Sequence, residues 1–129
     1  MVLLFYLELY HMEVSMNSLQ ERDWKTMRRM KDELLERLAE RINRRSLEIL
    51  ESGEGSEISR HRELYKYIDE SDGVIAECFD DWRRSTLLYR VLAMRRHGLL
   101  TDEDLEQFSD VGQDAVRRSE AIFDTLNRG

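Results

Sequence analysis

The feature that most constrains this chain is that none of its 129 residues is proline and only six are glycine. An all-β domain needs a turn about every 8–12 residues, and a chain so poor in turn formers cannot supply those turns. Apolar residues make up 41% of the sequence and charged residues 36%, a mixture typical of amphipathic helices. The composition therefore predicts an all-α protein, and the length predicts one domain.

Two long helices are predicted because apolar residues recur in steps of three and four. The first helix is predicted at about residues 19–50, and its apolar stripe consists of Met27, Met30, Leu34, Leu38, Ile42 and Ile49. A loop rich in glycine and serine follows at residues 51–57. The second helix is predicted at about residues 59–97, since its stripe keeps its phase across Gly73, with loosening at Gly73 as the alternative. The two helices form an elongated antiparallel hairpin.

The stretch RRHGLLTDEDLEQFS, residues 95–109, is interpreted as the end of the second helix and the start of a third. Gly98 stands where a left-handed residue ends a helix, and the basic residues before it face the negative end of the helix dipole. Thr101 caps the third helix, which is predicted at about residues 102–127. A kink or restart at residues 109–112 is the alternative to an unbroken third helix.

Residues 17–129 are predicted to form a single helical domain, preceded by an apolar extension at residues 1–16. The apolar run of the extension is shorter than the ~20 residues that span a bilayer, and it lacks a basic leader. It is interpreted either as an element that covers a helix face or subunit contact, or as an upstream addition. Cys78 is the only cysteine, which excludes an intrachain disulfide and favours a cytoplasmic protein.

Charge is distributed in blocks, although the formal net charge is −7. Residues 21–45 hold nine basic and six acidic side chains, and residues 46–82 hold three basic and eleven acidic ones. Residues 83–98 hold five arginines and no acid, and residues 99–129 hold three basic and eight acidic side chains. Blocks of alternating sign favour pairing between helices or subunits over binding of an external polyanion.

The basic segment Arg83–Arg96 supports an alternative function as a nucleic-acid-associated protein. The candidate basic patch consists of Arg83, Arg84, Arg90 and Arg95. Trp82 and Tyr89 are interleaved with these arginines, but both fall on the predicted buried stripe, where they would not stack on bases. The negative net charge also disfavours a general nucleic-acid binder.

A homodimer is expected because a long hairpin leaves apolar surface exposed. A helix over residues 59–97 rises about 58 Å, whereas a compact domain of this length has a radius of gyration of about 14 Å. Exposed apolar area of this extent usually marks an interface, and a two-fold dimer that completes a helical bundle would cover it. The candidate interface residues are Trp24, Met27, Leu34, Leu38, Trp82, Tyr89 and Leu92.

The sequence predicts no metal site, no cofactor and no catalytic constellation. Its histidines, His11, His61 and His97, are far apart, and no Glu-x-x-His pair occurs. Cys78 lies on the apolar stripe without a histidine nearby and is interpreted as a small core residue rather than a nucleophile.

Arg90 and His97 carry a resemblance to ribonucleases of the HEPN type. Those proteins are helical and carry an arginine followed by a histidine at the end of a helix, with up to six residues between them, the separation found here. The resemblance implies phosphate contact by Arg90 and proton transfer by His97, in a site assembled across a dimer. Val91 departs from the family pattern, in which the residue after the arginine is usually polar.

Three further stretches resemble small, uncharacterised bacterial cytosolic helical proteins. They are ERDWK at residues 21–25, FDDWRRST at residues 79–86 and MRRHGLLTDEDLEQFS at residues 94–109. The resemblance implies a soluble bacterial protein and assigns no functional residue. The sequence as a whole therefore predicts a non-enzymatic helical interaction or scaffold protein that acts through protein–protein contacts.

Overall fold

The computed structural model of the protein describes residues 19–128, so the predicted extension at residues 1–16 lies outside the described residues. Every regular element of the described part is a helix, which confirms the all-α class. In chain order the elements are α1 (Glu21–Glu51), α2 (Glu57–Phe79), a 3₁₀ turn (Arg84–Thr86), α3 (Leu87–Arg96), α4 (Asp102–Leu105) and α5 (Asp110–Arg128). Helices α1 and α2 form the predicted hairpin.

The hairpin is built on the apolar stripe of α1. Met27 and Leu34 are fully buried, and the stripe remains buried as far as Ile49 near the end of the helix. The 31 residues of α1 rise about 46 Å. At the turn of the hairpin, the hydroxyl of Ser56 accepts a hydrogen bond from the N–H of Ser59 and so caps the start of α2.

Helix α2 passes through Gly73 without a break, as the phase of its apolar residues predicts. The prediction that the helix continues to His97 is wrong, because α2 ends at Phe79 and the chain turns before α3 begins at Leu87. At the turn Asp81 takes a left-handed conformation, with φ at 54°.

Two side chains support the turn after α2. The indole Nε1 of Trp82 donates to the carbonyl of Cys78 at 2.9 Å, and the hydroxyl of Thr86 donates to the carbonyl of Asp81 at 2.8 Å. These bonds replace helical backbone bonds that would have continued α2. The chain therefore reverses seven residues after Gly73, and α3 folds back onto the hairpin.

The end of α3 follows the sequence prediction. Gly98 has a φ of +67°, and the N–H of Leu99 donates to the carbonyl of Met94 at 2.8 Å, which closes the last turn. The hydroxyl of Thr101 caps α4 by accepting from the N–H of Asp104. Helix α4 is short, and the chain restarts as α5 at Asp110, so the alternative of a restart is confirmed and an unbroken third helix is wrong.

The core lies at the base of the hairpin, where α3, α4 and α5 pack on α1 and α2. Its buried members are Met27, Met30, Leu34, Leu38, Ile42, Cys78, Phe79, Leu87, Leu88, Val91, Leu92, Ala93, Met94, Leu99, Leu100, Leu105, Phe108 and Val116. Within the described chain none of these falls between positions 43 and 73, and Tyr67 is the one residue of that range that packs against them. We call residues 43–73 the arm, because this half of the hairpin projects from the core.

Candidate functional site

Helices α3 and α4 cover one side of the hairpin, and no other part of residues 19–128 covers the opposite side. The guanidinium of Arg37 donates to the carbonyl of Leu99 at 2.9 Å, and Arg41 donates to the carbonyl of Gly98 at 3.0 Å, so this side of α1 faces the α3–α4 connection. Each residue advances about 100° around an α-helix, so Leu35 lies about 200° from Arg37. By the same measure, Ile68 on α2 lies half a turn from Glu77, which contacts α3. Leu35 and Ile68 therefore lie on the uncovered side.

We call this uncovered side the open face. Its large apolar residues are Leu35, Leu50, Ile58, Tyr65 and Ile68, with Ile58 at the edge. Tyr65 is 71% exposed, Ile58 54% and Leu50 49%. Scattered exposed apolar residues are normal in proteins, but five on one side of one hairpin form a patch of the kind that marks an interaction site.

Two polar residues lie on the same side of α2 as Ile68. His61 is about 20° from Ile68 around the helix and Asp72 about 40°, and both are exposed. Within residues 19–128 no hydrogen bond or ion pair joins either side chain to another residue. Arg62 and Asp69 lie about 60° and 80° from Glu77, on the flank of α2 that faces α3, so they lie off the open face.

The residues that the sequence predicts as an interface lie mostly in the core of the chain itself. Met27 and Leu34 are fully buried, and Leu38 and Leu92 are nearly so. Since these side chains already pack inside one chain, a partner that binds without rearranging the fold would not reach them. The open face is formed instead by the apolar residues that flank the stripe.

The three predicted aromatic residues are half-buried and pack against the core. The guanidinium of Arg84 lies 5.2 Å from the ring centre of Trp24, and the ammonium of Lys31 lies 4.8 Å from that of Trp82. The guanidinium of Arg90 lies 5.1 Å from the ring of Tyr89. The first two contacts hold the turn after α2 against the base of α1, whereas the third lies within α3.

The predicted basic patch is divided between two places, and its arginines have acidic or carbonyl partners. Arg83 bonds to Asp81 at 2.7 Å, and Arg84 forms a two-bond pair with Glu21 at 2.8 and 2.9 Å. The bond from Arg84 lowers the pKa of the Glu21 carboxyl. A polyanion that bound here would have to displace these acids.

The remaining two arginines of the patch lie on α3. The side chain of Arg95 is 11% exposed and lies between Asp102, at 2.7 Å, and Glu120, at 3.1 Å. Arg90 donates to the carbonyl of Glu77 at 2.6 Å. Arg95 therefore fixes α5 to α3, and Arg90 fixes α3 to α2.

Glu77 also joins the two residues of the HEPN resemblance. Its backbone carbonyl accepts from Arg90, and its carboxylate lies 2.9 Å from Nε2 of His97 and forms an ion pair with Arg96. Burial lowers the pKa of His97, and the positive charges of Arg96 and Arg41 lower it further. The imidazole is therefore neutral near pH 7, and its Nε2–H donates to the Glu77 carboxylate.

Cys78 lies in the core, as the sequence predicts. Its side chain is fully buried, and burial raises the pKa of the thiol to about 11. In residues 19–128 no group of three or more His, Cys, Asp or Glu side chains is arranged to hold a metal ion.

The described helices include none that is both long and apolar enough to cross a membrane. No protein-family model, curated protein or solved structure matches the chain.

Proposed function

We propose that this protein is a non-enzymatic helical contact protein that binds other protein chains, including a second copy of itself, through the open face of its hairpin. The observation that carries the proposal is the position of Leu35, Leu50, Tyr65 and Ile68 on the side of the hairpin opposite α3–α5. We propose a bacterial, cytoplasmic setting on the resemblance of its sequence stretches and on its single reduced cysteine.

The arm is the part of the fold that a bound partner would stabilise most. Its two helices bury Ile49 between them but share no buried core residue with α3–α5. Fully burying one large aliphatic or aromatic side chain contributes about 1.5–3 kcal/mol. A partner on the open face would bury several such side chains and would replace the helix layer that the arm lacks.

The experiment that tests the proposal compares wild type with Tyr65→Glu by sedimentation at micromolar concentration. We expect wild type to associate and Tyr65→Glu to remain monomeric with unchanged helicity, because a carboxylate at the centre of the face cannot be buried. Val111→Glu is the matched control: Val111 is 49% exposed on α5, away from the open face, and its variant should associate like wild type. A monomeric wild type, or a Tyr65→Glu protein that associates normally, would overturn the proposal.

One observation supports a second candidate function, RNA cleavage of the HEPN type. Arg90 and His97 both contact Glu77, so the fold brings the two residues together. In such a cleavage the ribose 2′ oxygen bonds to phosphorus, the bond to the 5′ oxygen breaks, and that oxygen takes a proton from water. The neutral imidazole of His97 would accept the 2′ proton, and Arg90 would contact the phosphate.

An RNA cleavage assay decides the second candidate by comparing wild type with His97→Ala. His61→Ala is the control, since His61 is exposed on α2, far from Glu77 in sequence and on the open face. Cleavage that His97→Ala abolishes and His61→Ala retains would support the candidate. Equal activity, or equal inactivity, of all three proteins would dismiss it.

A further inference from the structure

We propose that the groove between the base of α1 and the α4–α5 connection binds a small anion that carries two or more linked phosphate groups. The groove has a volume of about 470 Å³ and is lined by Glu21, Arg22, Lys25, Thr26, Arg29 and Gln107. None of these lining residues belongs to the open face, so this inference does not rest on the proposed contact function.

Three basic side chains of α1 line the groove at helical spacing. Lys25 follows Arg22 by three residues and precedes Arg29 by four, so all three lie on one side of α1. Together they extend about 10 Å along the helix axis. An arginine donates two parallel hydrogen bonds to a phosphate, and a lysine adds a positive charge on a flexible stem. A single phosphate group contacts only part of this row, whereas a chain of two or three linked phosphates contacts all of it.

The three basic residues are not paired with acids. Arg29 donates to the side-chain carbonyl of Gln107 at 3.1 Å, and this acceptor is neutral. Within residues 19–128 neither Arg22 nor Lys25 forms a hydrogen bond or an ion pair through its side chain. A ligand in the groove therefore does not have to displace an acid from them.

The acid among the lining residues, Glu21, is held by a cation from outside the lining. Its two carboxylate oxygens accept from the guanidinium of Arg84 at 2.8 and 2.9 Å. The pKa of Glu21 is lowered, chiefly by the bond from Arg84 and also by the positive charges of Lys25 and Arg28. Because Arg84 balances Glu21, the lining presents three positive charges that no lining acid balances.

A second groove along α1 has a different balance of charge. It has a volume of about 340 Å³ and is lined by Arg37, Glu40, Arg41, Arg44, Arg45 and Glu48. Two of its arginines pair with its own acids, and the other two bind Asp104 and backbone carbonyls of the α3–α4 connection. Both volumes lie in the range of small-molecule sites, about 300–1,000 Å³, so the unbalanced charge distinguishes the groove at the base.

Calorimetric titration of the full chain with inorganic triphosphate tests the proposal, at about 150 mM salt to screen distant charges. We expect wild type to bind saturably. Lys25→Gln and Arg29→Gln should each weaken binding about 5- to 20-fold, because each removes one charged contact. Arg62→Gln is the charge-matched control: Arg62 is exposed on α2 and outside the groove, so binding should stay within about twofold of wild type.

Glu21→Gln tests the proposal in the opposite direction, since a damaged fold would not improve binding. The substitution removes the acid from the groove and releases Arg84 toward the ligand, so triphosphate should bind about 3- to 10-fold more tightly. Circular dichroism should show the same helicity in all four variants, because every substituted side chain is exposed.

Three further titrations test the class of ligand. Inorganic phosphate should bind at least about 10-fold more weakly than triphosphate, since it contacts fewer of the three cations. Citrate should also bind more weakly, because its three carboxylates branch from one carbon and carry less charge. Vesicles of anionic phospholipid should bind wild type and Lys25→Gln equally.

Loss of triphosphate binding in the two groove variants, together with the gain in Glu21→Gln, supports the proposal. Three results overturn it: no saturable binding of triphosphate, equal binding by wild type and the groove variants, or a preference for citrate or vesicles over triphosphate. Sedimentation of the same proteins tests the contact function separately, so the two proposals can fail independently.

Discussion

The carboxylate of Asp23 binds Ser109 twice, across 86 residues of sequence. Its Oδ1 accepts from the backbone N–H of Ser109 at 2.7 Å, and its Oδ2 accepts from the Ser109 hydroxyl at 2.7 Å. The same hydroxyl oxygen accepts from the N–H of Gly112 at 3.0 Å, which caps the start of α5. Asp23 is fully buried, so one acid on the first turn of α1 positions the first turn of α5.

We expect Asp23→Ala to lower the free energy of unfolding by about 2–4 kcal/mol. The substitution leaves the buried N–H and hydroxyl of Ser109 without their acceptor, and unsatisfied buried groups are costly. Chemical denaturation measures the change. Asp32→Ala, an exposed acid on the same helix, is the control and should change the stability by less than about 0.5 kcal/mol. Similar effects of the two substitutions would contradict the role of Asp23.

Two glycine-to-alanine substitutions should have opposite effects. A Cβ on Gly112 would lie 2.5 Å from Oδ2 of Asp23, whereas a Cβ on Gly73 would meet nothing within 4 Å. We expect Gly112→Ala to destabilise the protein by about 1–3 kcal/mol through overpacking. Gly73→Ala should stabilise it by about 0.5–1 kcal/mol, because alanine favours the helix interior. Thermal unfolding of both variants checks the signs, and a stabilising Gly112→Ala would show that α5 can move away from Asp23.

The pair of Asp104 with Arg37 should make stability depend on pH in the acid range. Burial acts to raise the pKa of Asp104, but hydrogen bonds from Arg37 and Thr101 outweigh it and hold the pKa below the ordinary 3.8. A lowered pKa in the folded state gives a contribution that is complete above about pH 4 and is lost as the pH falls through the folded value. We expect Asp104→Asn to be less stable at pH 7 and to lose less on acidification than wild type.

Denaturation curves at several pH values between 7 and about 2 measure this dependence. Asp114→Asn is the control, since Asp114 is 63% exposed and pairs only along its own helix. Its stability curve should run parallel to that of wild type. If the curve of Asp104→Asn also ran parallel to that of wild type, the pair of Asp104 with Arg37 would make no contribution to the pH dependence of stability.

Cys78 should be inert toward thiol reagents in the folded protein. Its thiol is buried, and its pKa of about 11 keeps it protonated at the pH of such reactions. Reaction with a disulfide reagent at pH 8 should be slow in buffer and fast in guanidinium chloride, as followed by absorbance. Fast reaction of the native protein would indicate that α2 opens at Cys78.

The residues around Gly73 and Gly98 show what the sequence can predict in this chain. The phase of the apolar residues predicts that α2 continues through Gly73, and the turn chemistry of Gly98 and Thr101 predicts the boundary between α3 and α4. Both signals are local, so they can be read from neighbouring residues alone.

The turn after Phe79 and the position of the open face could not be predicted from the sequence. The apolar residues after the turn resume the phase they had before it, so periodicity gives no sign of a break, and the adjacent acids Asp80 and Asp81 are the only local hint. Which flank of the hairpin stays uncovered depends on where α3 folds back. That choice is made by contacts distant in sequence, such as Arg37 with Leu99.

The separation of the arm from the core divides the described chain into two regions of unequal local stability. The arm consists of two helices alone, so its backbone hydrogen bonds should break transiently. Its amide protons should then exchange with solvent while the base stays folded. Whatever binds the open face must therefore also restrain these fluctuations, and its affinity will depend on the intrinsic helicity of residues 43–73. Gly73→Ala, whose Cβ would meet nothing within 4 Å in the chain itself, should in this way tighten association.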